Sequence, residues 1–380
     1  MNSIYFTEEH NLFRKSLQHF LKKEVVPHID TWEKTGEIDR FIWKEFGEMG
    51  FFGMNYPEAY GGMDLDLFYT IILLEELQKI NSGGFAAAIW AHVYLAMTHL
   101  NAEGNDDIKE RYLAPSISGE KVGCLCVTEP FGGSDVAGMR TTAVKDGDNY
   151  IINGSKTFIT GGMEADYFVI GARTGGPGVT GISLFFVEAD APGFSRTPLK
   201  KKMGWWASNQ ATLYFEDCRV PATNLMGQED YGFLAIMHNF NNERLTLIAG
   251  RPGMMKAALE DSIEWAQQRE TFGKPLIKHQ VIRHKIADMS AKIDAVESYM
   301  NMICWNMEQG EAPVAELSKG KFFATKALEF VASEAMQILG GAGYLRGNRV
   351  ESIYRDVKVM AIGGGSEEIM RDLAVRQMGL

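Results

Sequence analysis

A chain of 380 residues with 46% hydrophobic and 23% charged residues carries enough apolar side chain for two or three units sharing one interior, which excludes a disordered or fibrous chain. The formal charge of -11 and pI near 5.3 exclude a broad basic footprint for nucleic acid or anionic lipid, so an anionic ligand would need a local basic site. There is no apolar run near the roughly 20 residues of a membrane span, no secretory pattern in MNSIYFTEEH, and no disulfide or zinc spacing among Cys124, Cys126, Cys218 and Cys304. A reducing, cytoplasmic address is the expectation.

Thr7 is a good N-cap with glutamates behind it, and Leu12, Leu17, Phe20 and Leu21 recur at helical spacing until Pro27, which is expected to stop the helix. Similar segments follow over 41–49, 69–80, 85–100 and 108–113, divided by Pro57, Gly61-Gly62, Ser82-Gly83-Gly84 and Pro115. Near Lys121 the texture changes. VGCLCV, NYIINGSKTFIT, ADYFVIGA, GISLFFVEA and ATLYFEDC are short, β-branched or aromatic, and bounded by Gly, Asp and Pro, as strands are. Cys124 and Cys126, two apart on such a strand, share a face and read as small buried side chains. Asn153-Gly154 carries the hairpin signal of a type I′ turn. Beyond Pro221 the helical period returns over 231–269, 280–309, 314–339 and 367–378, with a kink or break expected at Pro252. The pattern is therefore α, then β, then α: an α+β multidomain chain divided at 1–117, 118–226 and 227–380, without internal repeats or long linkers.

Four strings could carry chemistry. LCVTEPFGGSD (125–135) joins a strand to a glycine-containing turn and, taken alone, is an ordinary β-turn; it has neither the GxGxxG nor the GxxxxGK spacing of a phosphate loop. QRETFGKPLIKHQ (268–280) reads as a capped helix end and a loop, and QILGGAGY (337–344) as a helix closed by glycine. IGGGSEEI (362–369) sets three glycines before Ser366, a good N-cap, so the exposed amides of a helix start there suit an anion.

In this order and at these separations the four strings resemble the acyl-CoA dehydrogenases from the first helix to the last residues, and FLKKEVVPHIDTWEKTGEI (20–38) looks like the long-chain branch. The resemblance implies a helical N-terminal domain, a β-barrel-like middle domain and a C-terminal four-helix bundle, assembled as a homotetramer that binds flavin adenine dinucleotide (FAD) partly across a subunit boundary. It implies that Leu125, Val127 and Thr128 border the flavin and that Ser134 contacts the coenzyme A arm. Phe158, Ile159 and Thr160 stand where the family has a tryptophan-led segment against the ring. Arg269, Phe272, Gln280, Gln337, Gly340 and Gly341 match positions that grip the dinucleotide of a neighbouring subunit, and Ser366 and Glu368 the last flavin contacts. Where most members carry a glutamate base in YEGT, this chain has Gly364. The long-chain and isovaleryl branches supply the base from a long helix instead, which implies Glu243 in NNERLTLIAG; without the alignment Glu243 reads as a solvated helix carboxylate. Gly364 would then serve as an amide donor to the thioester oxygen, with Gly365 and Arg244 near the substrate, although Arg244 also reads as half of a helix-surface salt bridge. Glu367 and Glu368 are the fallback bases. The family's SDT is replaced by Ser208, Asn209 and Gln210 after Trp205 and Trp206.

The implied reaction is removal of the α-proton of a fatty acyl-CoA by Glu243 and of a β-hydride by the flavin, with electrons passed to an electron-transferring flavoprotein. A flavin oxidase or monooxygenase on the same scaffold, or a catalytically silent homologue that binds acyl-CoA or flavin, are the alternatives. Chain length is not readable: Ala86, Ala87, Ala88 and Ala96 hint at room for a long or branched chain, but alanine is simply a good helix former.

Overall fold

The computed structural model describes residues 4–380. The first third is helical: α1 (Glu8–Phe20), α2 (Ile29–Thr35), α3 (Arg40–Glu48), α4 (Leu67–Leu77), α5 (Gly83–Ala91), α6 (Met97–Glu103), α7 (Asp106–Ile108) and α8 (Ala114–Ile117). The Thr7 side chain caps α1 by accepting the His10 N–H. Pro27 does not stop the coil as expected. A wide turn over Leu21–Val25 and a tight one over Val26–His28 carry the chain through it into α2, because proline in the first turn of a new segment withholds an N–H that had no partner to lose. Gly36, at φ +75°, ends α2.

The middle third is one sheet of β1 (Gly123–Cys126), β2 (Thr142–Asp146), β3 (Asn149–Thr160), β4 (Tyr167–Arg173), β5 (Ile182–Glu188), β6 (Phe194–Pro198), β7 (Gln210–Pro221) and β8 (Leu225–Met226). Its order is β6-β7-β3-β2-β4-β5-β8, with β1 parallel to β4. Tyr167, Val169, Leu184 and Phe186 face the helical core, while Phe168, Ile170, Phe185 and Val187 face a second cluster with Cys124, Cys126, Tyr150, Ile152 and Phe215. A sheet buried on both faces explains why β4 and β5 read as unbroken apolar runs.

Asn153-Gly154 is not a hairpin turn. Both lie inside β3, where the register with β7 slips between Ile152 and Gly154, and Thr141 occupies the place of a side chain at 154. A bulge that admits a neighbouring strand uses the same dipeptide as a turn. The hairpin is one step earlier, at Gly147-Asp148 between paired Asp146 and Asn149.

The last third holds α9 (Gly232–Gln268), the small hairpin β9 (Glu270–Thr271) and β10 (Lys274–Pro275), then α10 (Gln280–Glu308), α11 (Val314–Leu339), α12 (Arg349–Ile362) and α13 (Glu367–Gln377). α9 runs for 37 residues straight through Pro252, so the expected break is absent. α12 goes beyond the four helical segments legible in the periodicity. Its apolar stripe of Val350, Ile353, Val357 and Met360 is blurred by Glu351 and Asp356, which are buried as well. One hydrophobic core joins the N-terminal helices, one face of the sheet and the bundle. Among the described residues no helix is long and apolar enough to cross a membrane.

Candidate active site

Glu243 projects from α9 into the bundle and is 4% exposed. Burial pushes its carboxyl up to about 7, against the pull of Arg244 and Lys321, which favour the charged form. Beside it is the turn between α12 and α13. Gly364 sits there at φ +63°, and a Cβ built on it would collide with Leu247 Cδ1 and come within 2.9 Å of Glu243 Oε1. The carboxylate of Glu243 thus lies at the space into which a side chain at 364 would point, so a carboxylate from the helix and one from the turn are alternatives for one volume. Gly365 follows at φ +85°, and Ser366 caps α13 by accepting the Ile369 N–H at 3.4 Å.

The other carboxylates near the turn are engaged elsewhere. Glu367 is buried and paired at 3.2 Å with both Lys326 and Arg371, and Glu368 is exposed. Arg244 is not half of a surface salt bridge: it is buried, and its Nη1 donates to Asn241 Oδ1 at 2.7 Å.

A second assembly forms where β1 leaves the sheet. The Thr157 N–H donates to the Thr128 carbonyl at 2.9 Å, the Cys124 thiol to the Thr160 carbonyl at 2.9 Å, and Gln210 Nε2 to Thr160 Oγ1 at 3.4 Å. These bonds bring 125–128 against 158–160. A register slip between Lys156 and Ile159 puts Phe158 at φ +58° and turns its ring outward, 64% exposed, while Ile159 is buried. A phenylalanine held in the left-handed region with its ring in the open is a strained position at the bulge. Below it is an ion pair that the sequence reading missed. Lys156, fully buried, donates to Glu129 Oε1 at 2.9 Å and to the Val127 carbonyl at 3.3 Å, and Glu129 also accepts the Arg140 and Thr141 N–H groups. Burial alone would raise the Glu129 carboxyl, but Lys156 and those donors hold it low. The alternation of β3, which faces Lys156 inward, was the available signal. Ser134 is exposed in the loop beyond Glu129, and Asn209 knits that region together by accepting the Met163 N–H at 3.0 Å and donating to Glu164.

Arg269, Phe272, Gln280, Gln337, Gly340 and Gly341 are all exposed. Phe272, at the tip of the β9–β10 hairpin, is 97% exposed. Arg269 follows Glu243 by 26 residues of α9, so about 39 Å of helix axis separates them. These residues do not share one pocket with Glu243 in a single chain.

An outward aromatic ring on a strained bulge and a buried, proton-avid carboxylate beside a main-chain turn fit a flat cofactor and a carbon acid. The chain matches the N-terminal, middle and C-terminal domain models of acyl-CoA dehydrogenase over residues 7–120, 124–218 and 230–379. It is 34% identical to the mitochondrial long-chain specific acyl-CoA dehydrogenase of Mus musculus, over 98% of this chain and 87% of that one. A probable acyl-CoA dehydrogenase structure from Mycobacterium abscessus superposes with a TM-score of 0.96 at 40% identity, covering 98% and 100% of the two chains. A glutaryl-CoA dehydrogenase structure from Mycobacterium smegmatis, in complex with FADH2, gives 0.93 at 25% identity over 98% and 95%. The chain belongs to the acyl-CoA dehydrogenase family of flavoprotein oxidoreductases.

Proposed function

We propose that this protein uses FAD to convert a fatty acyl-CoA thioester into the trans-2-enoyl-CoA, and that an electron-transferring flavoprotein takes the electrons. The reading includes a cytoplasmic homotetramer whose subunits divide at 1–117, 118–226 and 227–380. One observation carries it: the Glu243 carboxylate, buried and held near a pKa of about 7, fills the space beside Gly364. A carboxylate kept out of water is a stronger base towards a C–H bond than one in water, and a value near the working pH leaves enough of it ionised. Glu243 takes the α-proton. The Gly364 N–H donates to the thioester oxygen, where negative charge develops as that proton leaves. Leu125, Val127, Thr128 and the 158–160 segment would hold the flavin ring, with the Phe158 ring as a stacking face. When bound, the flavin supplies the acceptor for the hydride that leaves the β-carbon. Ser134 would meet the coenzyme A arm, Arg244 and Gly365 the thioester end, and Ser366 and Glu368 the flavin.

The test is anaerobic mixing of purified holoenzyme with a panel of straight and branched acyl-CoA thioesters. Wild type is expected to lose its flavin colour. Glu243→Gln should keep its flavin and lose bleaching by at least about 1000-fold, since the base acts on the bond being broken. Turnover that requires oxygen and yields peroxide would instead establish an oxidase, and unchanged bleaching in Glu243→Gln would remove the base from this residue.

A further inference from the structure

Lys321, in the middle of α11, is 0% exposed. A buried amine or ammonium costs several kcal/mol unless its donors are met. Both of its hydrogen bonds go to main-chain oxygens of the α12–α13 turn: Nζ donates to the Gly363 carbonyl at 2.8 Å and to the Gly365 carbonyl. These two carbonyls stand on either side of Gly364.

In a trans peptide the C=O and N–H are fixed in one plane and point opposite ways; none of the peptide bonds here is cis. Drawing the Gly363 oxygen onto Lys321 therefore turns the Gly364 N–H away from α11, and drawing the Gly365 oxygen onto it does the same for the Ser366 N–H. Among the described residues the Gly364 N–H has no protein acceptor. A donor fixed in direction and left free is what a developing oxyanion requires. α11 also fixes that donor relative to the base. At Gly320, next to Lys321, α11 closes so tightly on α9 that Ile248 Cδ1 lies 2.7 Å from where a side chain would begin, and Ile248 is five residues after Glu243.

We propose that Lys321 is a positioning residue: by holding the Gly363 and Gly365 carbonyls it aims the Gly364 N–H at the thioester oxygen of the substrate. This rests on the acyl-CoA reading above. The charged groups that face Lys321 are Glu243, Arg244 and Arg251 from α9 and Glu367 from α13. Burial first, and Arg251 second, lower its proton affinity to about 7. The tether does not depend on the charge, because a neutral amine still has two N–H groups for two carbonyls.

The experiment compares wild type, Lys321→Met and Lys321→Arg as holoenzymes, each with an enoyl-CoA product bound, and reads the thioester C=O stretch by Raman difference spectroscopy beside kcat and KM. Lys321→Met is expected to keep flavin and KM, lose about 100-fold in kcat as when an oxyanion donor is removed, and shift the C=O band towards that of free thioester. Lys321→Arg, which keeps two donors, should hold the band near the wild-type position. A Met variant with wild-type band and kcat overturns the proposal. If the Met variant loses its flavin, the Arg variant decides by the same band, and loss of flavin from both assigns Lys321 to cofactor retention and overturns it too. The wild type separates the two readings: if it is not bleached by any acyl-CoA, the dehydrogenase reading fails, whereas an active wild type beside an unaltered Met variant sinks the Lys321 proposal alone.

Discussion

At the scale of single residues, the proposed role of Glu243 sets function against stability. Its folded pKa of about 7 is above the ordinary value of 4.5 because burial disfavours the ionised form. The folded state therefore binds a proton more tightly than the unfolded chain. The stability this confers is complete below pH 4.5 and is lost as pH rises through 7, so at pH 8 the ionised carboxylate costs about 3 kcal/mol. Two outcomes follow. The rate of bleaching should rise about tenfold per pH unit below 7 and level off above it, since the base must be ionised. Glu243→Gln, neutral at every pH, should unfold at higher denaturant than wild type at pH 8, by about 1–3 kcal/mol, and lose that advantage at pH 5. An equal or lower stability at pH 8 would contradict the burial argument. Glu243 is proposed from the family resemblance, because Gly364 stands where most members carry the base. Lys321 could not be singled out in the sequence, since a lysine in a helix looks solvated until the neighbouring elements are in place, whereas Lys156 falls on the inward positions of β3.

At the scale of elements, errors arose where one local pattern serves two geometries. Asn-Gly marks a turn or a bulge, and which one it is depends on whether another strand passes close by, as Thr141 does. Proline ends a helix when its N–H is missed, but Pro27 stands in the first turn of a new segment, where none is missed, and Pro252 lies inside α9. α4 shows the same dependence for charge. Its apolar residues surround Glu75 and Glu76, carboxylates of a kind almost never buried unless paired. In the structure Glu75 is buried at the junction of α1, α4 and α9, bonded to Arg14 and Lys256 at 2.8 Å and 3.4 Å from Lys79. Burial alone would raise its carboxyl; Lys256, Lys79 and Arg14 instead hold it at about 2. Its contribution is therefore present above pH 4.5 and lost as pH falls from 4.5 through 2. Glu75→Gln should cost about 3 kcal/mol at pH 7, because the carboxylate that Lys256, Lys79 and Arg14 hold ionised is lost, although Arg14 and Lys79 keep Glu76 and Lys256 keeps Glu297. The gap from wild type, measured by denaturant midpoints, should shrink steadily below pH 4.5. A gap that stays constant into acid would mean that the cluster contributes shape and not charge.

At the scale of the whole molecule, the α, β, α order and the single shared interior were legible, because both rest on the average texture of long stretches. On the proposed reading, one chain does not hold a complete cofactor site. The exposed set at Arg269–Gln280 and Gln337–Gly341 lies beside Phe272, Tyr344 and Leu345, which are 97%, 83% and 66% exposed. Large apolar side chains left this open mark a contact surface. With about 39 Å of helix between Arg269 and Glu243, that set would serve the site of a second copy related by two-fold symmetry. The consequence can be counted. Suppose each site takes its base from one subunit and its dinucleotide clamp from the other. Glu243→Gln and Arg269→Ala homo-oligomers would both be inactive, the second through loss of flavin. After unfolding, mixing in equal amounts and refolding with FAD, half of the pairs would be mixed, and each mixed pair would hold one site with both defects and one with none. About a quarter of wild-type activity should return. If each site is built within one subunit, every site keeps one defect and the mixture stays as inactive as its parents.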